Sequence, residues 1–144
     1  MPTAERETVV KLSDTQVSVR FPDNVLITVT EKGEVSIKKG SDTFGYSPSR
    51  LRKNTMTVFQ TNETTEALHR FAVNDGVILT IKTERSEQNE RLSVEVFFQE
   101  ATEEGTQISG CFITKQAASS DDWAVSFLNT DRFLLNLTEM FGRE

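Results

Sequence analysis

Residues 16–39 read QVSVRFPDNVLITVTEKGEVSIKK, and the fold turns on how this stretch is read. Val17, Val19 and Phe21 alternate with Ser18 and Arg20, the two-residue period of a strand with one buried face. Pro22-Asp23-Asn24 breaks the run, and Val25, Ile27 and Val29 then form a second apolar face against Thr28 and Thr30. Glu31-Lys32-Gly33 has the composition of a tight turn with glycine at the positive-φ position. From there the chain returns through Val35 and Ile37. Short one-faced strands joined by turns predict antiparallel sheet.

The same period recurs downstream. Thr55–Gln60, the Val77/Leu79/Ile81 run and the Leu92/Val94/Val96/Phe98 run each read as a strand, with the polar stretch ERSEQNER between the last two. Gln107–Lys115 adds another, with Ile108, Gly110 and Phe112 on one face and Cys111 and Ile113 on the other. In 119–129 the alternation of Trp123, Val125 and Phe127 favours a strand over the helix that Ser120-Asp121-Asp122 would cap. Two segments break the pattern. In TNETTEALHRFAV, 61–73, Thr64 or Thr65 can cap, and Leu68, Phe71 and Ala72 stand at helical spacing, which predicts a short helix stopped by Asn74-Asp75-Gly76. In TDRFLLNLTEMFGRE, Phe133, Leu134, Leu137, Met140 and Phe141 share one helical face, with Thr130 as N-cap and Gly142 at the end. The expectation is one domain over residues 1–144, mainly β. It is an antiparallel sandwich or barrel with a short central helix and a C-terminal amphipathic helix over 130–142.

Between the hairpin and the next strand lies KKGSDTFGYSPSRLRKNTMTV, residues 38–58. It shows no periodicity, carries Phe44 and Tyr46, and sets Lys38, Lys39, Arg50, Arg52 and Lys53 against Asp42. It reads as a long basic loop, 39–54, on a chain whose net charge is −6. Residues 1–60 hold nine Lys/Arg and seven Asp/Glu, whereas residues 61–144 hold seven and fifteen. An acidic chain is a poor candidate for wrapping nucleic acid, because phosphate binding needs positive surface. The asymmetry does permit one surface of a copy to attract a different surface of the next.

Chemistry is sparse. One cysteine, Cys111, excludes an internal disulfide framework and suits a reducing compartment. One histidine, His69, with no partner at metal-ligand spacing, predicts no metal site. No nucleophile elbow and no phosphate-cradling glycine loop occurs, so no catalytic residue and no cofactor is expected. Carboxylates are plentiful, but no spacing selects a pair. No apolar run has membrane-spanning length, and MPTAERETVV is too charged for a signal peptide. A soluble protein made inside the cell, without membrane insertion, is expected.

The order of elements resembles the tube proteins of contractile bacteriophage tails, which are similar in fold to the tube protein of type VI secretion. The resemblance rests on MTVFQTNETTEALHRF, where Thr57-Val58-Phe59-Gln60-Thr61 runs toward Leu68. It rests also on GCFITKQAASSDDWAVSFLNTD, where Gly110–Lys115 leads into Asp122-Trp123-Ala124-Val125-Ser126-Phe127. It spans roughly residues 15–130. It implies a virion protein of the phage tail, assembled in the bacterial host, that self-associates into hexameric rings stacked around a channel for DNA. Sheath or baseplate proteins are its implied partners. On that reading Phe44, Tyr46, Arg50, Arg52 and Lys53 of the loop, with Phe133, Leu137 and Phe141 of the last helix, form the subunit interface. Thr28, Thr30, Thr80, Glu84, Glu95 and Gln99 are placed to line the lumen, which passes DNA without specific binding. The alternative is a monomeric β-barrel or pleckstrin-like binding module that uses the basic 38–53 loop for an anionic ligand. A small carboxylate-pair enzyme is a third, weaker reading.

Overall fold

The computed structural model describes residues 8–47, 56–60, 64–74, 76–86, 91–116 and 122–142; for 56–60, 64 and 65 the description is of the backbone. Eleven strands and one helix are present among these residues. Strands β1 (Val9–Leu12), β2 (Gln16–Phe21), β3 (Val25–Thr30), β4 (Val35–Lys39) and β5 (Asp42–Tyr46) form one antiparallel sheet in chain order. Strands β6 (Met56–Gln60), β7 (Thr64–Asn74), β8 (Val77–Ser86), β9 (Arg91–Thr102), β10 (Gly105–Lys115) and β11 (Trp123–Leu128) form the second, and helix α1 (Thr130–Gly142) follows. Both sheets are simple meanders.

The opening stretch folds as its period demands. Val17, Val19, Phe21, Val25, Ile27, Val29, Val35 and Ile37 are all buried, and Val19, Ile27 and Ile37 lie side by side in register. The turns carry the chemistry their backbone requires. Gly33 sits at φ 83°, and Asp23 and Asn24 lie at 66° and 63°, a region their short polar side chains tolerate. On the second sheet Leu79, Ile81, Leu92, Val94, Val96, Phe98, Cys111 and Ile113 face the same core. Cross-sheet ring contacts, Phe21 on Phe127 at 5.6 Å and Phe44 on Phe71 at 4.7 Å, hold the layers together. Neither sheet closes on itself: β1 and β5 are the edges of one, β11 and β6 of the other. The molecule is a sandwich, not a barrel.

Three expectations are corrected. Residues 64–74 are strand β7, not a helix, paired with β6 on one side and β8 on the other. Ala67, His69 and Val73 are buried while Arg70 and Ala72 are exposed, so Leu68 and Phe71, whose spacing suggested a helix, point to opposite faces. A helix of three turns is marginal by itself, and two hydrogen-bonded neighbours outweigh its weak local preference. The 39–54 loop is likewise shorter than expected. Asp42–Tyr46 pairs with β4, with Phe44 opposite Ile37 and Tyr46 opposite Val35. Five residues with a glycine among them, Gly45, were too few to register as alternation. Arg50, Arg52 and Lys53 lie outside the described residues.

Helix α1 closes one end of the sandwich. Phe133 and Leu137 are fully buried, with Phe133 against Phe21 and Phe98, each at 5.7 Å. The residue before the helix is Asn129 rather than a Thr130 cap: its carbonyl accepts from Phe133 N at 2.9 Å, and its amide donates to Ile108 O at 2.8 Å.

Candidate functional site

Large apolar side chains left in solvent are concentrated on one side of the molecule. Of the seven exposed among the described residues, Val9, Val10, Leu12, Phe127 and Leu128 belong to the two edge strands β1 and β11. Register gives their directions. Val10 pairs with Val19, Leu12 with Val17 and Phe127 with Cys111, all three partners fully buried, so Val10, Leu12 and Phe127 face inward between the sheets. They are nonetheless 37%, 44% and 37% exposed. Among the described residues the sandwich is open here. At one end of the opening the Trp123 indole donates to Ser13 O at 2.7 Å and holds the layers together, with Lys115 Nζ 4.7 Å from the ring centre. Proteins usually guard such an edge with an inward charge or a proline. β1 reads Val-Val-Lys-Leu, with its lysine, Lys11, on the outer face.

Most of the residues singled out in the sequence are placed elsewhere. Phe44 and Tyr46 do not project from a loop. They pack across the sheets onto β7, Phe44 on Phe71 at 87° between planes and Tyr46 on His69 at 5.2 Å. Phe133 and Leu137 lie inside the chain's own core, and Phe141 is half-buried at the end of α1. The six polar strand residues divide between opposite outer faces. Thr28 and Thr30 belong to the first sheet; Thr80, Glu84, Glu95 and Gln99 belong to the second. A channel lined by one face therefore takes the first two or the other four, not all six. Thr80 is buried even on that outer face, with its hydroxyl 3.2 Å from Gln99 Oε1.

Sequence reasoning missed the exposed edge, because three apolar residues in four carry no alternation to read. It also missed a patch on the outer face of the second sheet. Phe97 and Phe112 stack there at 6.1 Å and 26° over neighbouring strands. Gly110, opposite Phe97, has no room for a side chain: a Cβ would stand 2.5 Å from Phe97 Cβ and 2.5 Å from Val96 O.

One charged cluster among the described residues forms around a buried carboxylate. Glu100 is buried where β9 meets α1 and accepts from Arg132 Nε at 2.8 Å, from Arg132 Nη2, and from Asn136 Nδ2 at 2.9 Å. The Arg132 guanidinium, helped by the Asn136 amide, outweighs burial and holds the Glu100 carboxyl at about 2. Burial pushes the Cys111 thiol up to about 12, which leaves it unreactive. Among the described residues no group of three or more His, Cys, Asp or Glu is placed to hold a metal ion, and no helix is long and apolar enough to cross a membrane. No family model, curated protein or solved structure matches the chain.

Proposed function

We propose that the chain is a non-catalytic structural subunit that self-associates through its open β1/β11 side, and that the assembly is a stacked-ring tube of the phage-tail kind. The observation that carries this reading is the inward-facing yet exposed set Val10, Leu12 and Phe127 beside strand edges that no described strand pairs. A partner strand added to β1 satisfies its free backbone groups and covers those side chains at once. The opposite side, at β5 and β6, is built from different residues. A contact between the two is head-to-tail, the geometry that closes rings. The reading does not lean on a helix at 61–73. Arg50, Arg52 and Lys53, set against the acidic remainder, would orient neighbouring copies. Glu84 and Glu95 would give a channel lined by the second sheet the negative charge that lets DNA slide. Sheath or baseplate proteins would meet the outside of such a tube.

The test is negative-stain microscopy beside solution mass over a concentration series. Rings or tubes with a central channel are expected. A particle that stays monomeric at the highest concentration sinks the reading.

One observation favours a second reading. Two consecutive meanders followed by a helix that closes one end are the layout expected of a pleckstrin-like binding module. On that reading the protein remains monomeric and binds vesicles carrying anionic headgroups. Replacing Arg50, Arg52 and Lys53 with alanine then abolishes the binding.

A further inference from the structure

On the side away from β1, the sheets part around a cavity of about 540 Å³, a volume suited to a small molecule or a single side chain. Half of its described lining residues carry rings: Phe44 and Tyr46 from β5, His69 and Phe71 from β7. Phe44 and Phe71 meet at 87° and form a corner, while His69 lies 4.1 Å from Phe71 and 5.2 Å from Tyr46 and continues the wall. Glu34 also lines the cavity; it is exposed, with a carboxylate oxygen 3.4 Å from the Thr30 hydroxyl. No Lys or Arg is among the described lining residues. Tyr46 is 6% exposed.

We propose that this cavity binds an alkylated ammonium group, a quaternary or methylated amine. An aromatic ring draws a cation to its face through negative quadrupole density, and a nearby carboxylate adds attraction without requiring a donor on the ligand. An ordinary ammonium is held back by its hydration, whereas methyl groups shed water and fill an aromatic corner. An anion finds no described cationic wall here. The chemistry occurs in free choline-type amines and in methyl-lysine on a peptide.

The experiment titrates the full chain, by calorimetry and amide chemical shifts, with choline, a trimethyl-lysine peptide and the neutral isostere 3,3-dimethylbutanol. Saturable binding of an ammonium ligand is expected, with the isostere at least about tenfold weaker. Phe44→Leu and Glu34→Gln should each weaken it several-fold. Glu34 is exposed, so its variant should fold even if the aromatic one does not. Tighter binding of choline or of the peptide supports the site and assigns its source. Equal binding of the isostere, no saturation up to about 10 mM, or undiminished binding by both variants overturns the proposal.

Discussion

The helix-capped end and the β1/β11 side face the same physical problem and treat it differently. In both places the inner faces of two sheets reach the boundary of the sandwich and their apolar side chains need a cover. At the capped end α1 supplies one: Phe133 and Leu137 plug the gap, and the polar groups brought in with them, Glu100, Asn136 and Arg132, satisfy one another. At the β1/β11 side no element of the described chain covers Val10, Leu12 and Phe127. One boundary is closed by the helix; the other is left exposed by the described residues.

The comparison breaks first at Phe133. Removing its ring leaves a cavity between Phe21 and Phe98, and Phe133→Ala should cost about 3–5 kcal/mol in chemical denaturation. If the loss is under about 1 kcal/mol, the helix is an appendage and not a closure. Gly110→Ala comes next. An alanine in a strand normally gains a little over glycine, but here its Cβ meets a backbone oxygen, so a loss of about 1–3 kcal/mol is expected. All three atoms in the way, Phe97 Cβ, Phe97 Cα and Val96 O, remain in Phe97→Ala, so that change should not rescue it.

Glu100 sharpens the capped end through pH. Its folded-state value of about 2 lies below the ordinary 4.5. Its stabilisation is therefore complete above the ordinary value and fades as pH falls from there toward about 2. Stability measured across that window should decline in the native chain and decline less in Glu100→Gln. Glu100→Ala, which strips the buried Asn136 amide of its acceptor, should cost about 1–3 kcal/mol at neutral pH.

What the sequence disclosed follows from how local each signal is. Val17 to Ile37 and Leu92 to Phe98 announce strands because one buried face imposes a two-residue period. Phe133 to Phe141 announce a helix because a single stripe of that helix is buried. Strand β7 was misread because it is held by neighbours on both sides, and those partners, Met56–Gln60 and Val77–Ser86, are not visible within the window 61–73. The placement of Phe44 and Tyr46 was hidden for the same reason. A basic stretch with two aromatics looks like a sticky loop until the register sets them opposite Ile37 and Val35. The open side was illegible because an exposed edge is defined by what does not pair with it, and no residue records an absence.

The smallest expected effect on stability carries the most information about function. Leu12 points inward yet is 44% exposed, so Leu12→Lys gives up part of its buried area and leaves the ammonium within reach of water. It should cost no more than about 1 kcal/mol in chemical denaturation. An inward lysine is also a device by which natural sheets discourage a partner strand. If the β1/β11 side is an assembly surface, the variant should fold like the native chain and lose association in sedimentation at concentrations where the native chain assembles. Leu135→Lys provides the control, because Leu135 is 56% exposed on the helix, away from both edges. Loss of assembly in both variants would mean that general surface hydrophobicity drives it. Loss in Leu12→Lys alone would locate the contact at the uncovered edge, and retention in both would remove that edge from the account of what the protein does.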